Sequence, residues 1–152
     1  EENIMDQQPR DTQKSIFADG LGMRIGLQGL MLGLISFAAY MIGWFLEPSA
    51  MREIKMITAQ TMTFIVLALS QLAHAFNVRS ELYSVFKLKR NKFIFYALGA
   101  SVTLQLLVVF IPFTRDIFGI TSLPYQYWFI ILGLVLLPVL IMESIKFIKN
   151  RK

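Results

Sequence analysis

Six polar residues share one side of an otherwise apolar stretch of this chain: Gln60, Thr63, Ser70, Gln71, His74 and Asn77. In a helix turning about 100° per residue they fall within roughly 120° of arc, interrupted by Leu67. Two chemistries suit such a stripe. Its amide and hydroxyl oxygens could help line a path for a hard cation, which prefers oxygen ligands. The same groups also serve as hydrogen-bonding glue between membrane helices. The spacing alone leaves both open, but lipid would offer the stripe no partners, so it must face protein or water. His74 is the only histidine and there is no cysteine, which excludes a transition-metal site built from the usual ligands. It reads as a hydrogen-bonded packing residue.

No catalytic centre can be assembled around these residues. The sequence has no phosphate-cradling glycine loop, no paired-carboxylate site, and no nucleophile with a base at workable spacing. Whether the chain belongs to an enzyme is therefore left open by its own residues. One polar stripe with no charged residue at membrane depth would make a poor transporter by itself, so function calls for more polypeptide.

The elements that must hold the stripe are four uncharged stretches, Ile25–Leu46, Met56–Asn77, Phe93–Phe113 and Tyr125–Met142. The first has 22 residues, which as a helix reaches roughly 33 Å and matches a hydrocarbon core of about 30 Å. Backbone polar groups in lipid must be satisfied within the segment, so these stretches can only be helices. Of 152 residues, 55% are hydrophobic and 16% charged, and the connections are too short to carry a soluble domain. The expected fold is all-α: a polytopic bundle of four transmembrane helices over 21–152, with spans at about 25–46, 56–77, 93–113 and 125–145. A polar segment, 1–20, precedes it and has neither the apolar core nor the cleavage site of a signal peptide.

The net charge of +5 is a topology signal and not a nucleic-acid footprint. Of the 15 basic residues, 12 lie before the first span, between the second and third, or after the fourth. Arg52, Lys55 and Arg115 are left for the other side. The positive-inside rule then puts both termini, the 1–20 segment and the 78–92 loop in the cytoplasm, with anionic lipid headgroups as their partners. A cell (plasma) membrane is the expected location.

Smaller features sharpen the spans. Gly22, Gly26, Gly29, Gly33 and Ser36 are spaced 4, 3, 4 and 3, which keeps small residues on one seam where another helix can approach closely. Tyr125, Tyr127 and Trp128 open the fourth span as interfacial aromatics, and Pro138 should kink it. Pro112 closes the third span, and Arg115 and Asp116 beyond it read as solvated. Glu143 and Lys146 read as an i,i+3 ion pair at headgroup level.

Three passages, taken in order, resemble the C-terminal transmembrane region of P-type cation pumps, in the calcium-ATPase branch. NIMDQQPRD (3–11) is similar to the cytoplasmic loop after the sixth membrane helix. SQLAHAFNVRSELYSVF (70–86) resembles the end of the eighth helix and its exit. LPVLIMESIKFI (137–148) resembles the tenth, with its mid-span proline and E-x-x-K-F ending. The resemblance implies that the four spans are helices seven to ten of a ten-helix pump, and the start at Glu1 fits a piece of one. It implies ATP, Mg2+ and transported Ca2+ for the parent pump and no cofactor in this chain. It also implies partners: the bilayer, the other membrane helices and the cytoplasmic domains.

Helices four, five, six and eight supply the ion ligands in that family, and the eighth-helix position falls on Gln71. The two-calcium pumps carry Glu there, so the neutral amide resembles the one-calcium pumps and implies one ion per cycle. The seventh helix of such pumps packs closely on the fifth, which gives the Gly22–Gly33 seam a meaning. The expected role is support of the ion-transport helices, without catalysis by this chain alone. Two alternatives remain: a self-contained four-helix subunit with an assembly or regulatory role, and a small channel or carrier oligomerising around the polar helix.

Overall fold

A computed structural model describes residues 20–77 and 92–149, except for the side chains of Phe76 and Lys149. The expected 1–20 segment, the NIMDQQPRD passage and most of the basic 78–92 loop lie outside the described residues. The described chain forms five helices: α1 (Leu21–Leu46), α2 (Arg52–Asn77), α3 (Lys92–Phe110), α4 (Pro112–Phe118) and α5 (Tyr125–Lys149). Four of them, α1, α2, α3 and α5, are long and apolar enough to cross a membrane. The molecule is an all-α, multi-pass membrane fold.

The third span is shorter than the sequence suggests, and proline chemistry explains why. Pro112 has no N–H to give Val108, so α3 stops at Phe110 and the chain turns at Ile111 before α4 begins with Pro112. The hydroxyl of Thr114 lies 2.8 Å from the carbonyl oxygen of Val108, within reach of the group that proline leaves unpaired. Helix α4 ends at Gly119, whose φ of 61° is left-handed, a conformation that costs glycine little. Arg115, expected in solvent, is half-buried on α4, whereas Asp116 is exposed.

Helix α2 is the centre of the packing. Its Met62, Ile65 and Val66 are fully buried against Ile35 and Ala39 of α1, Tyr127, Ile131 and Val135 of α5, and Val109 of α3. By contrast α3 buries only Val109, so nearly its whole circumference is available to lipid or to other helices. Of the expected interfacial aromatics only Tyr125 is exposed. Tyr127 belongs to the core, and Trp128 stacks on Phe110 with ring centroids 5.4 Å apart. The helical period explains this, because two residues of drift turn a side chain by about 200°. Helix α5 runs on through Pro138, which is fully buried.

At the end of the bundle where α2 and α5 begin, side chains tie the turns to α2. Glu47 accepts the Ser49 N–H at 3.2 Å and the Thr58 hydroxyl at 3.1 Å. Buried Thr61 donates to the carbonyl of Ile57 at 2.7 Å and accepts the Thr121 N–H at 3.0 Å. These bonds fix the loop before α5 onto the same helix that carries the polar stripe.

Candidate functional site

Helix α2 divides its polar stripe lengthwise. Ser70, His74 and Asn77 are buried, Thr63 is half-buried, and Gln60 and Gln71 are exposed. Three hydroxyls of α2 turn back on their own helix: Thr61 toward Ile57, Thr63 toward Ala59 at 2.8 Å and Ser70 toward Leu67 at 3.1 Å. A hydroxyl so engaged keeps lone pairs free but lies close along the helix surface. Of the stripe's buried edge only Asn77 bonds another helix, whereas the outer edge carries two exposed amides. His74 is buried, and neither ring nitrogen has a hydrogen-bond partner among the described residues. Among the described residues no three His, Asp or Glu side chains come together as a metal cage. Gln71 would bring at most one amide oxygen to an ion whose other ligands came from elsewhere.

The glycine seam also divides. Gly26, Gly29 and Gly33 have open space where a Cβ would stand, and Gly22 is half-buried. Ser36, the last of the series, is buried and donates to the carbonyl of Leu32 at 2.8 Å. The close helix contact inside this chain comes later. A Cβ on Gly43 would sit 2.8 Å from the Cα of Ala59 and 3.1 Å from the sulfur of Met62, so only glycine lets the two backbones meet there. Ala39 and Gly43 form a small-xxx-small step, and following the seam past Ser36 would have found it.

The end of the bundle where α2 and α5 finish holds the one strongly polar contact between them among the described residues. Asn77 of α2 is fully buried, and its side-chain N–H2 donates to the carbonyl of Val139 at 3.3 Å. Lys146 pairs with Glu143 at 3.1 Å as its i,i+3 spacing suggests. Lys146 is also buried within the bundle, at 3% exposure. Its ammonium also donates to the Asn77 side-chain oxygen at 2.6 Å and the Asn77 backbone oxygen at 2.9 Å. No local spacing could announce a contact across 69 residues.

Comparison with known proteins follows the same architecture. Residues 1–148 match the family described as cation transporting ATPase, C-terminus. The chain is 31% identical over 160 residues to Calcium-transporting ATPase 1 of Bacillus cereus, covering 97% of this chain and 18% of that protein. It is 28% identical over 146 residues to a calcium-transporting ATPase of Bacillus subtilis, covering 95% of this chain and 16% of that one. A calcium-transporting ATPase of Plasmodium falciparum is 36% identical over 99 residues, covering 63% of this chain and 8% of that protein. The chain thus spans 16% to 18% of the length of the two bacterial relatives.

Proposed function

The chain belongs to the cation-transporting ATPase C-terminal family, and from that premise we propose that it is the C-terminal membrane domain of an ATP-driven calcium pump. Its four helices would be the seventh to tenth of the pump, packed against the helices that carry the ion and adding no catalytic group of their own. One observation carries the reading. Gln60 and Gln71 of α2 are exposed within an apolar spanning helix, and Gly26, Gly29 and Gly33 of α1 lie open in the same bundle. Lipid would leave the amides unpaired and would gain nothing from the glycines, whereas further helices would satisfy both.

In that assembly Gln71 faces the missing helices and lends its side-chain oxygen to the transported ion. Because the amide carries no charge, a second divalent ion would lack compensation beside it, and the pump would move one calcium ion per ATP. ATP and Mg2+ would act on cytoplasmic domains outside this chain. The cell membrane is the expected site, with both chain ends cytoplasmic. A self-contained four-helix subunit would also bury such a face, but the near-complete family match to much longer calcium-transporting relatives favours the pump.

The test replaces Gly29 or Gly33 by Leu in the full-length protein. A seam that receives another helix should lose assembly or calcium-dependent ATP hydrolysis by tenfold or more. Unchanged assembly and activity in both variants would place the seam against lipid and defeat the reading.

A further inference from the structure

Lys146 occupies a position that a surface ion pair does not explain. A lysine ammonium has three protons, and each has a separate oxygen within 3.1 Å: Asn77 Oδ1, the Asn77 backbone oxygen and Glu143 Oε1. Two of the three belong to Asn77 of α2. Lys146 therefore anchors Asn77 from another helix, at a site where a charge must be fully paired to be tolerated. Asn77 completes the clasp in the other direction through its bond to the Val139 carbonyl, one residue past the buried Pro138.

This arrangement fixes α2 along its own axis. A sliding or rotating helix end would break all three Asn77 contacts together, because they converge on one residue from two sides. Helix α2 is unbroken from Arg52 to Asn77, so whatever holds Asn77 holds Gln71, six residues earlier and about 9 Å along the axis. We propose that Lys146 and Asn77 are positioning residues that set the register of α2 and thereby the placement of the Gln71 oxygen for the transported ion. The inference rests on the pump reading above. It makes the final turns of α5 a determinant of ion affinity, although none of its residues touches the ion.

The experiment measures calcium-dependent ATP hydrolysis by the purified full-length protein and its variants K146M, N77A, N77A/K146M, K146R, E143Q and Q71L. K146M and N77A should each raise the half-activating calcium concentration about five- to tenfold, with maximal rates within about twofold of the parent. The double variant should be no worse than the worse single one, since both break one clasp. K146R, which keeps the charge, should recover part of the affinity, and E143Q should shift it about twofold. Should K146M and N77A fail to fold, the milder E143Q and K146R carry the same comparison.

Reduced maximal rate or yield at unchanged half-activation would reduce the clasp to a structural contact and overturn the proposal. So would additive effects in the double variant, or a K146M shift with none in Q71L. A Q71L shift with none in K146M, E143Q or K146R would overturn the clasp while leaving the ion-site reading intact. A parent protein without calcium-stimulated hydrolysis would instead defeat the pump reading. The register claim would then be decided by whether N77A and K146M lower thermal stability non-additively, with additive losses counting against it.

Discussion

The small residues of α1 meet different surroundings at the two ends of the helix. Around Gly43 the backbone of α2 comes so close that a methyl group would strike the Ala59 Cα at 2.8 Å. Around Gly26, Gly29 and Gly33 nothing stands within 4 Å of the same position. The residue type is the same and the helix is continuous, so glycine frequency in membrane helices cannot account for both. One end is closed by this chain's own hairpin. The other is left open among the described residues, and in the proposed pump it would receive a further helix.

The polar groups of α2 divide in parallel. Ser70 and Asn77 are buried, and Asn77 is held from both sides by α5. Gln60 and Gln71 are exposed. Polar groups are unwelcome in lipid, and dispersion between helices needs close backbones. Exposed amides and unfilled glycines are what the proposed packing against further helices would satisfy.

The sharpest way to break this comparison is to fill both ends. Gly43→Leu should abolish the folded protein, measured as monodisperse yield from detergent, because the obstacle is backbone and cannot rotate away. Gly43→Ala should cost about 1–3 kcal/mol of stability, the usual range for overpacking, seen as a lower midpoint of thermal aggregation. Normal folding of Gly43→Leu in the full-length protein would contradict the close contact at Ala59, as normal assembly of Gly29→Leu would contradict an occupied seam. A smaller effect is expected from Thr61→Val, which removes the acceptor for the Thr121 N–H and should cost about 1–3 kcal/mol if that donor is left unsatisfied. The smallest should come from Gln60→Leu: a loss of about 1 kcal/mol if another helix pairs with the amide, against a gain in stability if the residue faces lipid.

The membrane fold was legible because four uncharged stretches of bilayer length leave the backbone only one solution. The break of α3 was half legible. Pro112 was identified as the end of the span, but the resumption of helix over Pro112–Phe118 depends on Thr114 reaching back to Val108, a detail of local geometry. The polar stripe was visible by its period, whereas its division into covered and open edges was not, since that depends on which helices flank α2. That Tyr127 lies in the core while Tyr125 is exposed was not legible, because only the tertiary arrangement decides which side of α5 is covered. The same holds for Lys146. Its pairing with Glu143 is local, but its burial goes with contacts to Asn77, 69 residues away.

The central claim, that this chain is the tail of a calcium pump, is tested most directly by the size and phosphorylation of the native polypeptide. Source membranes would be blotted with an antibody to the C-terminal KFIKNRK and labelled with ATP in the presence and absence of calcium. The account predicts a band several times larger than 17.4 kDa, labelled only with calcium through an acid-stable, hydroxylamine-sensitive acyl phosphate. A lone band at 17.4 kDa that never takes up phosphate would contradict it and leave a four-helix subunit in its place.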